Sequence, residues 1–365
     1  MTKDAPDPHG PPVWSWVFPL AGLALLAGER LGLLPAGADG LGALAAMAVV
    51  GAVFSSVHHA EIVAARLGQP YGSLVLAAAV TAIETSLILS VLLSAEANAP
   101  EVARDTVLAV LMIVLNGVVG LCLLAGGIRH HEQGFQVRGA SGALSVVGTL
   151  AVLAMILPNY TLAKPGSLYS PVQLSFIAVM SLALYGLFVF VQTVTHRSDF
   201  VDAEGHEVHA HEISNGRALR AAGLLALALV AVVLLAETLS LPVARAVDGA
   251  GLPPAFVGVV IATLTLLPEG LSAFRAARAN RLQTSLNLAL GSAMASIGLT
   301  IPVVSLVSVF VGKSLVMGLD PEHMVLMVLT LFAGTLTLAT GRTTVLQGGV
   351  HMVIFAAFLV IAAIP

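Results

Sequence analysis

Apolar residues run through this chain in unbroken stretches of helix length, without the strict alternation that half-buried or barrel strands require. Eleven stretches reach or approach the length needed to cross a bilayer: 13–35, 40–57, 71–94, 105–127, 139–158, 171–194, 218–243, 253–274, 284–311, 323–340 and 345–364. The longest polar interruption, THRSDFVDAEGHEVHAHEISNGR over 195–217, carries five acids and four histidines. It leaves one leading helix and five more before it, and five after it. The pattern predicts an all-α polytopic membrane protein with about 11 transmembrane helices. An odd number of helices per half turns the second half upside down relative to the first, the inverted-repeat plan of many secondary transporters. The expected organisation is an N-terminal tail and extra helix over 1–38 and a first five-helix repeat over 39–194. An acidic, His-rich cytoplasmic loop over 195–217 and a second five-helix repeat over 218–365 follow.

Two of the apolar stretches carry one charge each, near the middle. In YGSLVLAAAVTAIETSLILSVLL (71–93) it is Glu84, and in PPAFVGVVIATLTLLPEGLSA (253–273) it is Glu269. A carboxylate at bilayer depth costs about 2.5–3.5 kcal/mol even on lenient insertion scales, so such residues mark ion or proton pathways. Each follows a proline at the helix entrance, fourteen residues after Pro70 and fifteen after Pro254. Thr81 and Thr85 flank Glu84, and Thr265 lies one turn before Glu269. Pro268 has no N–H, so it frees the carbonyl of Leu264 to face a cavity or an ion. The third helix of each half is the natural neighbour, and there Asn116, Ser292 and Ser296 are the candidate auxiliary ligands.

Carboxylates, hydroxyls and carbonyls are hard oxygen ligands, suited to Ca²⁺, Na⁺ or K⁺. Two glutamates match the charge of one divalent cation. Without the cation they would repel each other in a medium that solvates them poorly, so protons are expected to take its place. One site that holds either metal or protons is what an antiporter needs, and no cofactor is called for.

Composition agrees. The chain of 365 residues is 58% hydrophobic and 10% charged, where soluble domains average about 25% charged. Its net charge of −4 implies no nucleic-acid partner, and the single cysteine, Cys122, provides neither a disulfide framework nor a thiolate metal site. The opening MTKDAPDPHGPP lacks a signal-peptide cleavage pattern, so the first helix is read as retained. With the N-terminus inside, eleven of the sixteen Lys and Arg residues fall in inner segments and five in outer ones. This bias predicts a cytoplasmic (inner) membrane protein with its N-terminus in and its C-terminus out. His58, His59 and Glu61 fall after the second apolar stretch, as an amphipathic inner-loop segment with a gating or proton-entry role open to it.

The blocks GQPYGSLVLAAAVTAIETSLI, LTLLPEGLSAFRAA, LALGSAMASIGLTIPVVSL and GRTTVLQGGVH resemble the bacterial ChaA-type calcium/proton antiporters of the calcium/cation antiporter superfamily. The resemblance runs from HHAEIVAARLGQPYGS to the C-terminus. It implies two inverted five-helix halves, a leading helix and an ion site using one glutamate from each half, here Glu84 and Glu269. It also covers sodium and potassium exchange for protons. The chain departs from the superfamily pattern at VTAIE and TLLPEG, which lack Gly-Asn pairs, and at Gly270, where a histidine is common. The expected function is therefore Ca²⁺ efflux in exchange for H⁺, with Na⁺/H⁺ or K⁺/H⁺ exchange at the same residues as the alternative. An intramembrane hydrolase is the distant alternative, and the sequence has no HExxH pattern to serve one.

Overall fold

A computed structural model describes residues 11–33, 39–68, 71–93, 99–200 and 213–365. They form thirteen α-helices: α1 (Trp14–Arg30), α2 (Asp39–Leu67), α3 (Tyr71–Leu93), α4 (Ala99–Met112), α5 (Val119–His130), α6 (Val137–Ala151), α7 (Pro171–Phe190), α8 (Asn215–Gly249), α9 (Phe256–Arg278), α10 (Leu282–Ala295), α11 (Ile301–Val311), α12 (Pro321–Leu338) and α13 (Val345–Ala363). A π-turn, Ile113–Val118, joins α4 to α5, and another, Ser296–Thr300, joins α10 to α11, so each pair makes one membrane-length rod. Among the described residues ten such helices are long and apolar enough to cross a membrane, and α1, at 17 residues, adds a shorter one. Phe176, Phe310, Val325 and Val353 all lie more than half exposed, a surface suited to lipid. The all-α polytopic reading therefore holds.

One boundary moves substantially. The stretch expected to end at 57 continues as helix to Leu67, so His58, His59 and Glu61 lie on α2 and not in a loop. The polar side chains broke the apolar run without breaking the backbone, because Ala60, Ile62, Val63, Ala64 and Ala65 continue the helix and no proline or glycine intervenes. Of the expected 195–217 loop, residues 201–212, with most of its acids and histidines, lie outside the described residues. In its first part Arg197–Phe200 forms a 3₁₀ turn, and Phe200 stacks edge-on against Phe188 at 5.6 Å.

The chain divides into two compact units, one of Met1–Ser90 with Glu207–Ala246, the other of Val91–His206 with Val247–Pro365. In the first, α1 packs along α2 over a polar seam. The carbonyl of Ser15 accepts the Ser55 hydroxyl and lies 3.2 Å from Nε2 of His59, while Trp14 meets the His58 ring at 5.3 Å. Arg66 at the end of α2 donates to Oδ1 of Asn215 at the start of α8, at 2.6 and 3.1 Å.

In the second unit α5 pairs with α13, α9 packs on both α4 and α10, and α7 packs on α11. Cys122 of α5 sits in a core with Ala273 and Ala277 of α9. At one end a two-residue ladder, β1 (Gln133–Gly134) against β2 (Arg342–Thr343), ties the α5–α6 connection to the α12–α13 connection. Gln133 extends this brace by donating to the Ala277 carbonyl at 2.8 Å and to Asn280 Oδ1 at 2.9 Å.

Within a membrane, helices associate by close packing, because lipid already solvates apolar side chains. The α5–α13 seam follows that rule. A Cβ added to Gly348 would collide with backbone atoms of Leu124, whereas one added to its neighbour Gly349 meets nothing within 4 Å. Gly348→Ala is expected to lower stability by about 1–3 kcal/mol, the usual cost of overpacking, and Gly349→Ala to leave it unchanged or raise it. Thermal unfolding in detergent compares the two, and equal melting would refute the close approach.

Candidate functional site

Both membrane glutamates sit on helices of 23 residues. Glu84 lies thirteen positions after Tyr71, the first residue of α3, and Glu269 thirteen after Phe256, the first of α9. The following rods match as well. The π-turn begins fourteen positions after Ala99 in one and fourteen after Leu282 in the other. A π-turn carries an extra residue that the α-helical ladder leaves out, and such turns are frequent at functional sites.

Glu84 belongs to the first unit and is 1% exposed, a strong burial for a carboxylate. Thr81 and Thr85 on the same helix are also buried, and Oγ1 of Thr81 has no hydrogen-bond partner among the described residues. Glu269 belongs to the second unit, and its Oε2 accepts the hydroxyl of Ser292 from α10. Thr265, one turn earlier, is buried, and its hydroxyl is directed to the carbonyls of Ile261 and Ala262 at 3.2 and 3.0 Å. Pro268 lies inside α9, with the Leu264 carbonyl four residues before it. Ser296, buried, opens the second π-turn. The expected pairing of Glu269 with the third helix of its half is thus present through Ser292.

Asn116, expected among the ligands, is buried in the first π-turn, and both ends of its amide are taken up elsewhere. Nδ2 donates to Thr330 Oγ1 of α12 at 2.9 Å, and Oδ1 lies 3.0 Å from Nδ1 of His351 on α13. His351 stands in an apolar run, where a lone titratable residue at that depth is itself a signal.

A second polar cluster lies where α4 and α12 begin. Buried Arg104 donates through Nε to Asp105 Oδ1 at 2.8 Å, through Nη2 to Asp320 Oδ2 at 2.9 Å and through Nη1 to the Gly318 carbonyl at 3.1 Å. Next to it, ligand atoms of Asp320, Glu322 and His323 lie within 4.8 Å of one another, a set that suits a transiently held cation. Nothing in the apolar pattern singled these residues out, since they stand at the ends of stretches where charge is ordinary.

Compared with known proteins, residues 40–194 and 220–364 match the family described as sodium/calcium exchanger protein. The chain belongs to that family. The exchanger is 52% identical over 356 residues to y4hA of Sinorhizobium fredii, named for ionic transport, covering 97% of each chain. It is 35% identical over 354 residues to ChaA of Escherichia coli, named a sodium-potassium/proton antiporter, covering 94% of each. Among solved structures, that of native YfkE superposes with a TM-score of 0.73 at 17% identity, covering 96% of the exchanger and 100% of YfkE. The H⁺/Ca²⁺ exchanger CAX superposes at 0.71 and 16% identity, covering 95% and 89%. These last two likenesses establish the fold. The exchanger is thus a multi-pass membrane protein and a secondary active cation antiporter, not an enzyme.

Proposed function

We propose that the exchanger moves Ca²⁺ out of the cytoplasm in exchange for H⁺ by alternating access, with Glu84 and Glu269 as the groups that bind either load. The observation that carries this reading is the pair of carboxylates at matching positions of matching helices, each among hydroxyl-bearing side chains. Two negative charges and hard oxygen donors fit one divalent cation, and two protons neutralise the same site when the cation leaves. Thr81, Thr85, Thr265, Ser292, Ser296 and the Leu264 carbonyl complete the donor set. His58, His59 and Glu61 on α2 serve in gating or as the proton entry. The plan of a leading helix, two inverted five-helix repeats and an intervening cytoplasmic loop is supported by the two stretches of family match and the equal helix offsets. The Lys and Arg bias supports the inner membrane with the N-terminus in and the C-terminus out.

A monovalent reading has its own support, because the E. coli relative at 35% identity is named for sodium and potassium. A 23% identical protein of Aphanothece halophytica is named a Ca²⁺/H⁺ antiporter. Purified exchanger in proteoliposomes, presented with radioactive Ca²⁺ from outside under a proton gradient, separates the two. Uptake competed by unlabelled Ca²⁺ and not by excess Na⁺ or K⁺ is expected. Competition by either monovalent ion at equal concentration would assign the site to it.

A further inference from the structure

The first π-turn is the meeting point of the second unit: Ile113–Val118 contacts α9, α10, α12 and α13. On one side it backs the helix of Glu269. Gly270 faces Val118, and a Cβ placed there would come within 3.3 Å of Val118 Cγ2. On the other side it is held by a chain of hydrogen bonds, with Met112 Sδ a second, longer acceptor for Asn116 and Thr330 and the Leu115 carbonyl a second one for His351. Asn116 Nδ2 donates to Thr330 Oγ1, whose own hydrogen goes to the Leu326 carbonyl at 2.7 Å. With Nδ2 assigned as the donor, Asn116 Oδ1 can only accept, so His351 Nδ1 carries the hydrogen on their 3.0 Å contact. Nε2 of His351 lies 3.1 Å from the hydroxyl of Thr337. The imidazole is partnered at both nitrogens and 2% exposed.

A π-turn is one residue wider than the helix around it. Were it to tighten, α5 would turn by about 100° relative to α4, the rotation of one helical residue. Val118 would then leave Gly270, and the wall behind Glu269 would change shape. The Asn116 amide in that turn is clamped between Thr330 of α12 and His351 of α13.

We propose that His351 is a positioning residue for the exchange reaction: through Asn116 it fixes the wide turn against which the Glu269 helix rests, and so sets how tightly the cation is held. This rests on the antiport reading above. The imidazole neither touches the ion nor carries the transported proton.

The experiment compares His351→Leu with His351→Asn in proteoliposomes, reading Ca²⁺ dependence and maximal rate separately, with melting in detergent as a check on folding. The Asn variant keeps an N–H that can donate to Asn116 Oδ1. His351→Leu is expected to raise the half-saturating Ca²⁺ concentration about tenfold, the scale of one lost buried hydrogen bond, with little change in maximal rate. His351→Asn is expected to stay within about twofold of wild type. Wild-type behaviour of the Leu variant would overturn the proposal. So would an Asn variant as impaired as the Leu variant, the result expected of a proton carrier. If the Leu variant does not fold, an Asn variant with about tenfold weaker Ca²⁺ dependence overturns the proposal alone. Normal exchange by Glu269→Gln would sink the underlying antiport reading instead, whatever the His351 variants do.

Discussion

Everted membrane vesicles carrying Glu269→Gln or Glu84→Gln are expected to lose cation-dependent collapse of a proton gradient. Glutamine keeps the size of the side chain and one acceptor oxygen, and removes its charge and its exchangeable proton. Two unit charges about 4 Å apart attract by about 4 kcal/mol at an effective dielectric of 20, close to a thousandfold in affinity. A divalent ion facing one carboxylate where two are needed loses at least that much. The variant also has one fewer group on which protons and cation compete, so coupling fails along with binding. Asp replacements keep the charge and should retain part of the exchange. Vesicles in which both Gln variants exchange at the wild-type rate would remove the two-glutamate mechanism altogether.

The second large effect concerns stability. Arg104 and Asp105 are 6% and 7% exposed, and Arg104 spends donors on Asp105, Asp320 and the Gly318 carbonyl. Arg104→Met fills the same space but leaves the Asp105 carboxylate buried without its counter-charge. Breaking a buried ion pair from one side costs about 3–5 kcal/mol, and most of that is the stranded charge, not the lost attraction. The double variant Arg104→Met with Asp105→Asn removes the stranded charge and should recover more than half of the loss. Chemical or thermal unfolding in detergent reads both. If Arg104→Met unfolds within about 1 kcal/mol of wild type, the cluster is solvated in solution and holds nothing together.

Much of this molecule could be read from its residues one at a time. Glu84 and Glu269 stand out because a charge in a long apolar run has few inexpensive explanations, and hydropathy alone located their helices to within a turn. What escaped was set by partners distant in the chain. His59 reads as a loop residue until the carbonyl of Ser15, 44 positions away, is found beside its ring. Asn116 is a plausible ligand on composition, and its amide is claimed by Thr330 and by His351, 235 positions away. The π-turns were invisible for a different reason. They change the backbone by one residue without changing the apolar character of the run, so no periodicity in ILMFWV positions betrays them. Arg104 and Asp320 were hidden by ordinariness, since charges at helix ends usually meet water and only packing reveals that Arg104 does not.

The chain has one thiol, that of Cys122, closed in between α5 and α9. Maleimides and methanethiosulfonates need a reachable thiolate, so a cysteine introduced at an exposed position will be the one they modify. The natural sequence is therefore a ready background for spin or fluorescent probes on either unit during turnover, with no native residue to replace first.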